Sequence, residues 1–61
     1  MTVGEDRKRA MKARDLGEQA RRAGRPKGAN PYRGHTALVR TLHYEWFMGW
    51  DSADAAIRAK R

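Results

Sequence analysis

The sequence contains no cysteine, only two prolines, and no apolar run longer than a few residues. Without cysteine there are no disulfides and no thiolate zinc site. His35 and His43 are the only imidazoles, and neither lies beside acidic residues at ligand spacing, so neither a metal nor a cofactor is expected. A membrane span needs about 20 apolar residues in succession. None is present, and the start, Met-Thr-Val-Gly-Glu-Asp, runs into charge where a signal peptide would turn apolar. The chain therefore reads as soluble and cytoplasmic, with no membrane partner. At 61 residues it forms one domain, 1–61, with a thin core.

Acidic side chains are also scarce. Fourteen Lys and Arg face seven Asp and Glu, a formal net charge of +7. The excess sits in the first half: residues 5–33 hold ten basic and four acidic side chains. A basic half joined to a nearly neutral, aromatic-rich half points to a polyanionic partner for the first and core-building for the second.

Proline is confined to AGRPKGANPYRG, Ala23 to Gly34. The flanking segments are free of it and read as helices, about 5–23 and about 36–59, around a loop at about 24–35. At about 100° per residue, Ala10, Ala13, Leu16, Gly17, Ala20 and Ala23 share one face of the first helix. That face is made almost wholly of small side chains. Arg7, Arg14 and Arg21 form a heptad line placed opposite it, with Lys8 and Arg22 beside them. Glu18 lies at helical spacing from Arg14 and Arg22. Gly24 is positioned to end the helix, with Pro26 soon after. Asn30 precedes Pro31 and is biased to extended backbone.

Thr36 is the expected N-cap of the second helix, and Val39 three residues on excludes a capping box. Its main face gathers Val39, Leu42, Trp46, Gly49, Trp50, Ala53 and Ile57. The fold expected is all-α, a helical hairpin with Trp46 and Trp50 against the small face of the first helix. Each tryptophan contributes ~2–3 kcal/mol if nearly buried. Gly17, Ala20, Gly24 and Gly49 read as close-approach or capping positions. Tyr44, Phe47 and Met48 project away from the tryptophan face, as a cover for the loop, a contact with a second copy of the chain, or a protein-partner surface.

Read together, Gly17-x-Gln19-Ala20-x-x-Ala23-Gly24-Arg25-x-Lys27-x-x-x-Pro31-Tyr32 and Trp46-x-x-Gly49-Trp50 resemble the ribosome modulation factor family of small basic bacterial proteins. The resemblance spans Gly17 to about Ala53. It implies two helices and a loop, and binding to the small ribosomal subunit and its ribosomal RNA near the messenger RNA path. It also implies a role in translation regulation: formation of inactive, paired ribosomes in slow growth or starvation. The stretch from Tyr32 to Trp46 is longer than the family leads one to expect, and the Ala53–Arg61 tail carries none of its motifs.

RNA binding needs cations for phosphates and flat groups for bases. The candidates are Arg7, Arg14, Arg21, Arg22, Arg25, Lys27, Arg33 and Tyr32, with Tyr32 open to either stacking or a loop-fixing role. Trp46 and Trp50, at stripe spacing, are assigned to packing, and Pro31 to the loop. Ribosomal proteins are further candidate neighbours. A different reading takes Gly24-Arg25-Pro26 as an AT-hook for the minor groove of DNA. Catalysis is not expected, and no small-molecule substrate: there is no phosphate-binding loop, and the pair Asp51 and Asp54 reads as a solvated face.

Overall fold

The computed structural model describes residues 3–60. Its elements are α1 (Val3–Arg22), a 3-10 turn at Lys27–Ala29, and α2 (Ala37–Ala59). The all-α, two-helix architecture is the expected one, and the 3-10 turn is an addition to it. Glu5 and Asp6 in the first turn of α1 and Arg21 and Arg22 in its last complement the helix dipole.

The end of α1 is a Schellman motif. Arg25 N–H reaches back to the Ala20 carbonyl at 2.8 Å, and Gly24 N–H to that of Arg21 at 3.0 Å. The left-handed backbone this needs falls on Gly24, at φ 81°. At the other end of the connection, the Thr36 hydroxyl accepts from Val39 N–H at 3.2 Å and caps α2.

Large packs against small where the helices meet. Ala13, Gly17, Leu42, Trp46, Gly49 and Ala53 are buried, with Trp46 only 2 % exposed. The closest approach is backbone to backbone. A Cβ on Gly17 would overlap the Trp46 carbonyl, and a Cβ on Gly49 would overlap that of Arg14. Two helices come this near only when both present glycine at the crossing. Trp50 is half-buried rather than sunk in the groove.

Contacts advance in the same order along both helices. Arg14 meets Glu45, Gly17 meets the backbone of Trp46 and Trp50, and Arg21 meets Asp54. The return of the chain is made by the connection, which retraces α2. Arg25 lies at Trp50, Lys27 at Asp51, Asn30 at His43, and Gly34 beside Val39. Extents of 44 × 21 × 13 Å fit helices whose axes are broadly aligned. Among the described residues, no helix is long and apolar enough to cross a membrane.

Gly17→Ala and Gly49→Ala test this crossing, because two effects oppose each other. Helix propensity favours alanine by about 1 kcal/mol. Overpacking against backbone costs about 1–3 kcal/mol or more, and backbone cannot swing aside as a side chain can. Chemical denaturation followed by circular dichroism should show both variants less stable than the parent. A stabilised variant at either position would contradict the close approach.

Candidate nucleic-acid interface

The expected arginine row does not lie opposite the small face. Arg14 and Arg21 stand on its flank and bond across to α2. The Arg14 guanidinium lies 3.0 Å from Glu45, and that of Arg21 donates to Asp54 at 2.8 Å. The reason is helical phase. A heptad falls short of two full turns by about 20°. Successive arginines therefore step toward the interface, with Arg7 farthest from it, Arg14 next and Arg21 nearest. Exposure follows that order: the Arg14 side chain is 52 % exposed and that of Arg21 20 %. Arg22 reaches Glu18 at 3.9 Å, one of the two pairings expected of Glu18.

Asp51 and Asp54 are not a merely solvated face. Asp54 takes Arg21 on one oxygen and Arg58 on the other at 3.0 Å. The hydrogen bond from Arg21 holds the Asp54 carboxyl below its ordinary value of 3.8; desolvation opposes it, and the charges of Arg58, Arg21 and Lys27 each add a smaller lowering. Asp51 takes Lys27 at 2.9 Å. Trp50 sits among these charges. Its indole N–H donates to the Arg25 carbonyl at 2.8 Å, with Arg21 and Lys27 5.5 and 5.3 Å from the ring centroid. Trp50 thus clasps the end of α1 and the start of the connection to α2.

The Gly24-Arg25-Pro26 step is consequently shaped rather than loose. Gly24 closes the Schellman turn, the Arg25 carbonyl is held by Trp50, and Pro26 leads into the 3-10 turn. A DNA hook moulds itself to the groove it enters; this backbone is already committed to protein partners.

A second lock was not legible as such in the sequence. Asn30 is 4 % exposed. Its Oδ1 accepts from Tyr32 N–H at 2.9 Å, an Asx turn around Pro31, and its Nδ2 donates to the His43 carbonyl at 3.1 Å. His43 Nδ1 lies 2.9 Å from the Tyr32 carbonyl and 3.1 Å from Asn30 Nδ2, so the ring is held between the two. The signal available beforehand was Asn before Pro. It marks a turn, yet does not name His43 as the partner 13 residues away.

With the backbone held, Tyr32 takes its place in an open cleft of about 520 Å³ beside Arg33, Arg40, His43, Tyr44 and Phe47. The expected Tyr44/Phe47/Met48 surface is split. Phe47 is half-buried, edge-on to His43 with ring centroids 4.5 Å apart. Tyr44 shares the cleft and is 66 % exposed. Met48 lies on the other flank, its sulfur 3.9 Å from the Arg14 guanidinium. The split again follows phase, since adjacent helical positions diverge by about 100°. A second groove, of about 410 Å³, lies where Leu16, Ala20, Ala23 and Pro31 border Trp46.

Among the described residues, Arg7, Lys8, Arg9, Lys12, Arg25, Arg33, Arg40 and Lys60 have no carboxylate within ion-pair distance. Arg40 belongs with them and was absent from the sequence-derived candidates. Its only signal was charge at the start of a helix, and only the folded chain brings it to Arg33 and Tyr32. Arg33 spends one N–H on the Gly28 carbonyl at 3.1 Å and keeps the remainder of its fork. Compared with protein-family models, with curated proteins and with solved structures, the chain gives no match.

Two outcomes check this geometry. Because the Asp54 pKa is lowered on folding, its contribution to stability is complete above the ordinary aspartate value and is lost as pH falls through the lowered one. Asp54→Asn should lower the thermal midpoint at about pH 6 and flatten its decline at lower pH; an unchanged acid limb would show that Asp54 carries none of it. Asn30→Ala should cost about 1–3 kcal/mol by leaving buried backbone groups unpaired. Faster hydrogen exchange at the Tyr32 amide is the accompanying sign.

Proposed function

We propose that this protein binds ribosomal RNA of the small subunit and acts as a stoichiometric brake on translation in slow growth, in the manner of the ribosome modulation factor family it resembles. The observation that carries the reading is the set of cations left over once the internal ion pairs are made. Glu18, Glu45, Asp51 and Asp54 are engaged within the fold, and their four negative charges offset all but one of the five positive charges on Arg14, Arg21, Arg22, Lys27 and Arg58. The cations without such partners run along the first turns of α1, with Arg25 beside Trp50 and Arg33 and Arg40 together at the aromatic cleft. Arginine suits phosphate because its planar fork donates two hydrogen bonds at once.

The residues that carry the family resemblance also work as one contact set, which supports reading them as a unit. Gly17 meets Trp46, Gly49 meets Arg14, and Trp50 holds Arg25. Arg14 and Arg21 serve the helix pair in this reading, and the RNA-facing role passes to Arg7, Arg25, Arg33 and Arg40. Catalysis has no part in it. The protein occupies its site, and its bulk obstructs messenger RNA or alters a subunit contact.

Sedimentation of a lysate through a gradient tests the proposal directly. The protein should travel with small subunits or paired ribosomes and leave them as salt rises. For single-stranded RNA, log K should fall with log salt by about 0.7 for each phosphate neutralised. Arg25→Ala should weaken binding, whereas Lys60→Ala, on the tail, should change it little. Protein that stays at the top of the gradient, or binding indifferent to salt, would defeat the proposal.

A further inference from the structure

The cleft at the connection differs from the rest of the cationic surface in offering flat side chains as well as charge. Its volume of about 520 Å³ falls within the range of roughly 300–1,000 Å³ typical of small-molecule sites. No carboxylate lines it. Tyr32, His43, Tyr44 and Phe47 supply rings, and Arg33 and Arg40 stand at its border. We propose that this cleft takes a single unstacked RNA base, with Arg33 and Arg40 on the flanking phosphates. The proposal rests on the RNA-binding reading above and names the part of the RNA that the site selects.

Preorganisation supports it. The His43 ring is fixed through Nδ1 to the Tyr32 carbonyl, and Phe47 packs edge-on against that ring at an interplanar angle of 77°. The Asn30 amide binds the Tyr32 N–H and the His43 carbonyl, so both sides of the cleft share one anchor. Tyr44 stands on a regular turn of α2 and is 66 % exposed, with its ring edge-on to His43 at 6.2 Å. An exposed ring held beside fixed rings is a stacking surface with little left to order on binding.

Charge and shape choose among occupants. A second copy of this chain, at formal net charge +7, would bring like charge to two unpaired arginines. An acidic peptide would satisfy the arginines and leave the ring faces unused. Duplex RNA keeps its base faces stacked and its major groove too narrow for side chains. An unpaired nucleotide presents a face and a phosphate together.

The test compares anisotropy of two labelled RNAs, a 12-nucleotide single strand and a duplex of the same composition, across four proteins: the parent, Tyr44→Ala, Arg40→Ala and Lys8→Ala. The parent should prefer the single strand. Tyr44→Ala should lose about tenfold or more on the single strand and keep its duplex affinity. Arg40→Ala should weaken the single strand and lower its salt slope by about 0.7. Lys8→Ala should weaken both RNAs alike, if at all. Circular dichroism of each variant should match the parent, since Tyr44 and Arg40 are exposed side chains.

Equal loss on both RNAs in Tyr44→Ala would overturn the base site while leaving RNA binding in place. Absence of salt-dependent binding to either RNA would remove the RNA-binding reading itself. Poly-glutamate competing as well as the single strand would assign the cleft to acidic peptides. A dimer in sedimentation equilibrium that Tyr44→Ala dissociates, with RNA binding unchanged, would assign it to self-association.

Discussion

Gly17 and Gly49 let α1 and α2 meet backbone against backbone, and the rest of the molecule is arranged around that meeting. With side chains absent on both sides, the Trp46 carbonyl faces Gly17 and the Arg14 carbonyl faces Gly49. At this separation Trp46 has nowhere to go but across the small residues of α1, where it becomes, among the described residues, the one large side chain that is almost fully buried. A chain of 61 residues cannot build a deep core. It obtains a tight one by spending its smallest residues where its largest must lie.

The same meeting sets the electrostatics. Once helix phase is fixed by the glycines, Arg14 and Arg21 are carried to the edge of the interface and find carboxylates on α2. Asp54 bridges Arg21 and Arg58, and Trp50 lies beneath two cations while holding the Arg25 carbonyl. Partly exposed pairs of this kind contribute modestly to stability. Their larger effect here is on distribution: they neutralise one flank and leave positive charge at the first turns of α1 and around the connection.

The connection is an ordered part of the fold. Schellman turn, Trp50 clasp, 3-10 turn and Asx turn follow one another, each with its own hydrogen bond. Together they lay the chain back along α2 and open the aromatic cleft between Tyr32 and Tyr44. Glycine and proline there do not signal looseness. Gly24 supplies the left-handed residue, Pro26 stands extended before the 3-10 turn, and Asn30 ahead of Pro31 is kept out of the helical region.

What the amino-acid order determined alone is whatever depends on near neighbours. The two helices, the Gly24 end, the Thr36 cap, the small face of α1 and the bulky face of α2 rest on hydrogen bonds or periodicities a few residues long. Partnership across the fold was decided only by tertiary structure. Arg14 and Glu45 are 31 positions apart, and Arg21 and Asp54 are 33 apart. A helical wheel shows that a residue lies on a flank, but not which residue stands across from it. The arginine row's place on the flank rather than opposite the small face, and the divergence of Phe47 from Met48, follow from the helix period itself; that Glu45 and Asp54 stand across from Arg14 and Arg21, and that Asn30 locks to His43, does not. The physical reason is that helix phase and register are set jointly by both helices, so the fate of a side chain at their edge is a property of the pair.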